Sequence, residues 1–267
     1  MSLLKLSVLQ LEINDAESSD QRLQKVEAFL DEAGDCDLAV LPELWNVGYF
    51  SFDQYCKESD LLTGATLKRI SAKACERQIH VFAGSIVERE GGNLYNTAVL
   101  FSPQGKVIAT YRKLYLFGYG SKERELLKTG NNVVVADTPF GRVGMTTCYD
   151  LRFPELYRMM VDKGGVLFLV AAAWPYPRLE HWHLFTRTRA VENLAFLVAS
   201  NCCGVNQGVR FVGHSVVVDP WGVPVALAGD EEVVVKTEID LSAVDRIRQT
   251  FPALADRRDL SGFSSGD

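Results

Sequence analysis

Two runs of the sequence, LAVL at residues 38–41 and VLFLVAAA at residues 166–173, are apolar at every position. A strand with one face in water alternates apolar and polar residues, so an uninterrupted apolar run predicts a strand buried on both faces. Amphipathic stretches separate such runs along the chain, which is the order of strand–helix–strand units. We therefore predict an α/β fold whose sheets are covered on both faces.

The remaining elements follow from the same periodicities. Single strands are expected near residues 5–13, 79–89, 196–203 and 231–240, strand pairs joined by turns near 97–114, 133–148 and 213–228, and helices near 21–34, 65–78, 181–195, 241–251 and after Cys148. Two packed mixed sheets with helices outside fit this order, but periodicity does not distinguish them from one large sheet. No linker interrupts the pattern, so a single domain is expected over residues 1–267, with a loose tail from about residue 260.

Charge and composition argue against several classes of partner. The net charge of −6 disfavours nucleic acid or an anionic membrane surface. No apolar run approaches the roughly twenty residues that span a bilayer, and the N-terminus MSLLKLSVLQLEIND lacks the pattern of a signal peptide. The six cysteines show no framework spacing, so reduced thiols are expected. We expect a cytoplasmic protein that binds neither nucleic acid nor membrane.

Three residues of complementary chemistry each follow a predicted strand. Glu43 comes after LAVLP, Lys113 after VIATYR and Cys148 after VGMTT. Ligands of α/β sheets bind outside the C-terminal ends of strands, so these groups are expected to converge. A carboxylate that accepts a thiol proton and an ammonium that stabilises an oxyanion make an acyl-transfer site. Taken singly, Glu43 also fits a surface or helix-capping acid, and Lys113 a solvated lysine at a strand end.

Cys148 is predicted on a tight turn between a strand and a helix, because GRVGM lies before it and FPELYRMM after it. Backbone N–H groups at a helix start favour a thiolate, so a lowered thiol pKa is expected there. The alternative is a buried cysteine that only fills space. Asp150 and Arg152 are expected to hold the turn through an ion pair rather than to contact the substrate.

Six blocks of sequence carry a resemblance that spans nearly the whole chain, with every block in order. They are PELW at 42–45, YRKLYLF at 111–117, GRVGMTTCYDLRFPELYR at 141–158, AAAWP at 171–175, HWHLFTRTRAVEN at 181–193 and GHSVVVDPWG at 213–222. In these blocks the chain resembles the nitrilase superfamily of carbon–nitrogen hydrolases. The resemblance implies a four-layer αββα sandwich, usually dimerised through helices, and so a homodimer. It places the Glu–Lys–Cys triad of the family on Glu43, Lys113 and Cys148.

The resemblance also implies a second active-site glutamate in the loop after the lysine strand. The sequence GSKERELLKTG offers Glu123 and Glu125 for this role. The spacing to the turn at Gly130 favours Glu123, with Glu125 as the alternative.

The pattern WP-x-x-R-x-x-HW at residues 174–182 is similar to the omega-amidase-like branch, whose members hydrolyse the terminal amide of small 2-oxo acids. The expected substrate is therefore a short carboxylate-bearing ω-amide, with the guanidinium of Arg178 at its carboxylate. The backbone N–H of Tyr149 is expected to bind the oxyanion. Tyr49, Phe117 and Trp174 are expected to narrow the pocket, with core packing as the alternative for Trp174.

Other functions remain open on the same residues. The triad also suits a nitrilase, an N-carbamoyl amidohydrolase or an acyltransferase, and a non-enzymatic binding module with a buried thiol is a third possibility. His181 and His183 are two apart on a predicted helix and face different directions, and no CxxC or HExxH pattern accompanies them. We expect neither a metal nor an organic cofactor.

Overall fold

The structure is a computed structural model that describes residues 3–258. Its strands are β1 (Leu4–Gln10), β2 (Glu12–Asn14), β3 (Leu38–Val40), β4 (His80–Glu90), β5 (Asn93–Phe101), β6 (Val107–Arg112), β7 (Val135–Thr138), β8 (Gly141–Thr147), β9 (Leu167–Ala172), β10 (Phe196–Asn201), β11 (Cys203–Asn206), β12 (Val209–Arg210), β13 (Val216–Val218), β14 (Pro224–Leu227) and β15 (Val233–Ile239). Its helices are α1 (Ser19–Glu32), α2 (Tyr55–Glu58), α3 (Ala65–Arg77), α4 (Glu123–Leu126), α5 (Pro154–Asp162), α6 (Leu179–Val191) and α7 (Ser242–Thr250), with a short 3-10 helix at Cys148–Arg152. The expected loose tail lies outside the described residues.

Two six-stranded mixed sheets carry the fold. The first has the order β15-β1-β3-β4-β5-β6 and the second the order β14-β13-β10-β9-β8-β7. In each sheet the central strands are parallel and the outer strands are antiparallel. The choice that periodicity left open is therefore settled in favour of two packed sheets, and the predicted αββα sandwich is confirmed.

Strand alternation divides the apolar runs between two cores. In β9, Leu167 and Leu169 point into the core between the two sheets, while Phe168 and Val170 point toward the helices outside. Helices α5 and α6 cover that outer face, and α1 and α3 cover the corresponding face of the first sheet. Both faces of the central strands are apolar because both are buried, as the uninterrupted runs predicted.

Some short elements escaped prediction. The apolar run at residues 5–13 divides into β1 and β2, and the run at 196–203 ends at Asn201 before β11 begins. Strands β2, β11 and β12 then form a third, three-stranded sheet. The four-residue helices α2 and α4 were also not predicted, because a single turn shows no periodicity. The single-domain assignment for residues 1–267 stays a prediction.

The strand directions bring the candidate residues to one edge of the sandwich. Strand β3 runs parallel to β4, and β6 shares that direction because β5 is antiparallel to both of its neighbours. Glu43 and Lys113 therefore follow strands that end on the same side. A backbone hydrogen bond of 3.3 Å from Glu43 N to Ala172 O, at the end of β9, joins this edge to the second sheet.

Gly84 allows the backbone of β4 to pass directly beside the turn that carries Glu43. Its φ of +63° is left-handed, and a Cβ there would lie 1.9 Å from the carbonyl oxygen of Pro42. Gly91 has a similar φ of +58°, with nothing within 4 Å of the added Cβ. A Cβ at Gly91 would therefore add backbone strain alone, whereas a Cβ at Gly84 would add both backbone strain and steric overlap.

We predict that Gly84→Ala destabilises the protein more than Gly91→Ala does. The Gly91 variant should lose about 1–2 kcal/mol of unfolding free energy from left-handed strain alone. The Gly84 variant should lose about 1–3 kcal/mol more, because the backbone beside Glu43 must move. Denaturant unfolding of both variants measures the difference. Equal losses would show that the close approach of β4 to Pro42 imposes no constraint.

Candidate active site

Glu43, Lys113 and Cys148 meet where the two sheets adjoin. Lys113 Nζ donates to Glu43 Oε1 at 2.8 Å, and both side chains are fully shielded from solvent. Cys148 follows β8, and the Glu43 carboxylate and the Ala173 N–H both influence the pKa of its thiol. The structure therefore brings together the three groups that were predicted at strand ends.

Both oxygens of the Glu43 carboxylate are held. Oε1 accepts from Lys113 and from Asn96 Nδ2, the latter at 2.8 Å, and Oε2 accepts from the backbone N–H of Ala173 at 3.0 Å. Asn96 lies on β5 in the first sheet, whereas Ala173 follows β9 in the second. The direction of the carboxylate is therefore fixed from both sheets, which leaves it little freedom beside the thiol.

The structure places Glu123, rather than Glu125, beside Lys113. Glu123 is fully buried at the start of α4, and its Oε1 accepts from Lys113 Nζ at 2.9 Å. Its Oε2 accepts from the backbone N–H of Phe117 at 2.6 Å and from the Tyr49 hydroxyl at 3.1 Å. Glu125 is exposed. The favoured member of the pair is the one in the site, and Lys113 is held between two carboxylates.

Asn96 is a component of the site that the sequence analysis missed. Its side-chain amide donates to Glu43 at 2.8 Å and to Glu123 at 3.0 Å. The amide thus bridges two carboxylates that repel one another, and it lies beside the ammonium of Lys113 that both also contact. An asparagine inside a strand carries no motif. Only the pairing of β5 with β4 and β6 shows that its side chain reaches the site.

Cys148 occupies a strained turn between β8 and α5. Its φ of +46° lies in the left-handed region, which is uncommon for a residue with a side chain. Asp150 anchors the turn: its Oδ2 accepts from Thr147 N at 2.8 Å and from the Tyr111 hydroxyl at 2.6 Å. Its Oδ1 accepts from Tyr115 N at 3.0 Å, and burial raises the pKa of its carboxyl to about 7. The predicted turn is confirmed.

The ion pair expected between Asp150 and Arg152 is wrong. Asp150 is fully buried, and its oxygens are occupied by backbone N–H groups and the Tyr111 hydroxyl. Arg152 points the other way, with its guanidinium 5.0 Å from the centre of the Trp174 ring. The two residues follow one another too closely on a 3-10 helix for both side chains to face the same side.

The charges of the site act on one another strongly because water is excluded. Burial opposes the positive charge of Lys113, but Glu123 and Glu43 outweigh it and raise the pKa of the ammonium. Burial also raises the pKa of Glu43, against the influence of Lys113. Burial and the negative charge of Glu43 raise the pKa of the Cys148 thiol well above its usual range. The lowered thiol pKa expected from the helix start is therefore wrong, because desolvation and Glu43 dominate.

A cavity opens onto Cys148. All five predicted substrate-binding residues line it, namely Tyr49, Phe117, Tyr149, Trp174 and Arg178, and Arg152 joins them. The indole N–H of Trp174 donates to the carbonyl of Arg178 at 2.9 Å. The ring therefore lines the cavity and also holds the backbone of Arg178 in place. The cavity is mostly apolar, with charge contributed by the two arginines.

The described residues 3–258 contain no group of three or more histidine, cysteine or acidic side chains arranged to hold a metal ion. His183 packs against the ring of His214, whereas His181 contacts Arg152. Cys202 and Cys203 are both buried and are not joined by a disulfide. Over the same residues, no helix has both the length and the apolar character that crossing a membrane requires.

Comparison with known proteins identifies the family. The model of the carbon–nitrogen hydrolase family matches residues 5–249, so this chain belongs to the carbon–nitrogen hydrolases, enzymes of the nitrilase superfamily. The family inferred from the six sequence blocks, and the enzymatic nature of the protein, are thereby confirmed. The catalytic roles of individual residues are taken up below.

Relatives in this family match over nearly their whole length. A 2-oxoglutaramate amidase of Paenarthrobacter nicotinovorans is 36% identical, with 96% of this chain and 90% of the relative covered. The human omega-amidase NIT2 is 33% identical, with 97% and 96% covered. The crystal structure of Nit3 from Saccharomyces cerevisiae, a member of branch 10 of the nitrilase superfamily, superimposes with a TM-score of 0.89 at 32% identity, covering 96% of this chain and 97% of the other.

We predict that Lys113→Met costs about 3–5 kcal/mol of unfolding free energy, because it leaves buried carboxylates without their cation. Burial already raises the pKa of Glu43, and the variant removes the positive charge of Lys113 that opposes this rise. A carboxyl whose pKa is higher in the folded than in the unfolded state loses stability as pH rises, so the variant should regain stability as pH falls. Denaturant unfolding over a pH series measures both effects.

The control is Lys106→Met, an exposed lysine on the turn before β6, which should change stability by no more than about 0.5 kcal/mol. Adding Glu123→Gln to Lys113→Met removes one of the two facing carboxylates and should restore part of the loss. A Lys113 variant as stable as the Lys106 variant, at every pH, would contradict the view that this lysine compensates buried charge.

Proposed function

We propose that this enzyme hydrolyses the terminal amide of a short carboxylate-bearing acid, such as a four- or five-carbon 2-oxo acid, to the free acid and ammonia. One observation carries the proposal: Arg152 and Arg178 both line the cavity that holds Cys148. Within residues 3–258 neither guanidinium forms a salt bridge with a carboxylate, and aromatic rings are their neighbours. A carboxylate on the substrate would supply the missing anion.

The surroundings of the two arginines support this assignment. Arg178 lies 5.3 Å from the centre of the Phe117 ring, and Arg152 lies 5.1 Å from that of Phe185. Burial lowers the pKa of Arg152, and the nearby positive charge of Arg178 adds to the effect. An anion bound between the two would relieve this cost. The mostly apolar lining of the cavity suits a short acyl chain.

The relatives agree with the same substrate class. A 36%-identical relative is named as an amidase of 2-oxoglutaramate, which is the terminal amide of a 2-oxo acid. The human relative is named an omega-amidase. These names describe those proteins; for this chain they favour amide hydrolysis over the nitrilase, carbamoyl hydrolase and acyltransferase alternatives.

In the proposed acylation, Cys148 Sγ attacks the amide carbonyl carbon while its proton passes to the Glu43 carboxylate. A raised pKa makes Glu43 a better acceptor for that proton, and the Glu43 carboxylate and the Cys148 thiol influence one another electrostatically in the buried site. Lys113 Nζ and the backbone N–H of Tyr149 stabilise the oxyanion. Glu43 then returns the proton to the amide nitrogen, the C–N bond breaks, and ammonia leaves a Cys148 thioester.

In the proposed deacylation, Glu43 removes a proton from a water molecule, whose oxygen attacks the thioester carbonyl carbon. The C–S bond breaks, the thiolate recovers its proton from Glu43, and the carboxylic acid is released. Glu123 and Asn96 act as positioning residues, because Glu123 accepts from Lys113 and Asn96 donates to Glu43. No step of this sequence uses a metal or an organic cofactor.

We also propose that the enzyme is a homodimer that associates through its outer helices. Large apolar side chains are exposed on these helices: Met159 on α5 is 50% exposed, and Leu184 on α6 is 61% exposed. Trp221, close to α6, is 49% exposed. Burying such side chains is favourable. The expected cytoplasmic location stays a prediction.

The substrate assignment predicts a preference that kinetics can measure. For a 2-oxo acid ω-amide, kcat/KM should exceed that for an uncharged aliphatic amide of equal length by roughly tenfold or more, because a charge-assisted hydrogen bond holds the carboxylate. Arg152→Gln and Arg178→Gln should each reduce this preference. Ammonia release is the assay.

A matched pair of cysteine variants controls for the chemistry. Cys148→Ala should abolish turnover, whereas Cys202→Ala, at a buried thiol 3.5 Å from the Glu43 carbonyl oxygen but outside the cavity lining, should retain most of it. Equal or better use of the uncharged amide, or an unaltered preference in both arginine variants, would exclude the proposed substrate class.

A further inference from the structure

The first turn of α6 brings His181 to the guanidinium of Arg152. Arg152 Nη2 lies 3.2 Å from His181 Nδ1. Within residues 3–258 the Arg152 side chain makes this one hydrogen bond. The rings of Tyr149, Trp174 and Phe185 surround the same guanidinium, with their centres 5.7, 5.0 and 5.1 Å from its central carbon. Ring faces locate a cation, but they do not choose the direction in which its N–H groups point.

The chemistry of the guanidinium fixes the direction of this contact. A guanidinium has only donors, so Arg152 donates and His181 accepts through Nδ1. The positive charge of Arg178, which also lines the cavity, repels Arg152, and the contact with His181 helps to hold the guanidinium in place.

We propose that His181 is a positioning residue that aims the Arg152 guanidinium at the substrate carboxylate and so sets the preference for anionic amides. This inference rests on the proposed function. An acceptor without negative charge suits this positioning role. It engages one N–H group of Arg152 and leaves the other N–H groups, with the full positive charge, for the substrate carboxylate. An aspartate or glutamate in its place would neutralise Arg152 and compete with the substrate for it.

The test compares substitutions that keep or remove the accepting atom. His181→Asn places an amide oxygen near the position of Nδ1, whereas His181→Leu removes the acceptor and keeps a side chain of similar bulk. The control is His183→Leu, the same change on the same helix, at a ring that packs 4.9 Å from His214 rather than on Arg152. For each protein, kcat and KM are measured with the terminal amide of a five-carbon 2-oxo acid and with an uncharged aliphatic amide of equal length.

We expect His181→Leu to raise the KM for the carboxylate-bearing amide, relative to that for the uncharged amide, by roughly three- to tenfold, with kcat for the former little changed. His181→Asn should recover most of the loss, and His183→Leu should keep the wild-type ratio. An unchanged ratio in His181→Leu, or an equal change in His183→Leu, would overturn the role of His181.

Failure of the underlying function gives a different pattern. If wild-type enzyme showed no preference for the carboxylate-bearing amide, or if both Arg152→Gln and Arg178→Gln left the preference intact, the substrate assignment itself would fall, and the role of His181 with it. If Arg152→Gln alone left the preference intact, the role of His181 would fall while the substrate assignment stood. If Arg152→Gln removed the preference while His181→Leu kept it, only the positioning role would be excluded. The arginine variant therefore separates the two proposals.

Discussion

A buried ammonium held between two carboxylates is the interaction on which the site depends. Lys113 lies 2.8 Å from Glu43 and 2.9 Å from Glu123, with none of the three side chains exposed to water. Burying such charges is costly unless each is paired and hydrogen-bonded. The fold meets this need with donors from several elements: Asn96 on β5, Phe117 N before α4, and Ala173 N after β9. The site forms only when both sheets and the α4 segment are in place, so its geometry is a consequence of the whole sandwich.

This network determines how the thiol is activated. Two carboxylates and one ammonium leave a net negative charge beside Cys148, and that charge joins desolvation in raising the thiol pKa. In the proposed mechanism the nucleophile therefore rests as a thiol and becomes a thiolate only as it attacks, when Glu43 takes its proton. In the same mechanism Lys113 stabilises the oxyanion rather than a thiolate of the resting enzyme. In this mechanism Cys148 is not ionised in the resting enzyme. Ionisation therefore gives Cys148 no advantage in reactivity over the exposed thiols of Cys56 and Cys75.

The sequence predicted those features that local pattern controls. Apolar runs marked the buried strands, and the residues just after them, Glu43, Lys113 and Cys148, converged because parallel strands end at one edge. The role of Asn96 was not predicted, because the direction of its side chain depends on the register of β5 between two antiparallel neighbours. The outward turn of Arg152 depends on a 3-10 helix that no pattern predicted, and the thiol pKa depends on burial, which exists only in the closed fold. The third sheet escaped because strands such as the two-residue β12 carry no periodicity.

The central claim is that Cys148 is protonated in the resting enzyme and is activated by proton transfer to Glu43. The direct measurement is the ultraviolet absorbance of the thiolate, taken as wild-type enzyme minus Cys148→Ala over a pH series, alongside kcat/KM. The difference cancels the other five cysteines. We predict no thiolate band at neutral pH, where the enzyme is active, and an acid limb of kcat/KM above about pH 4.3, the value of an unperturbed glutamate, because burial raises the pKa of Glu43. A full thiolate band at neutral pH would contradict the account.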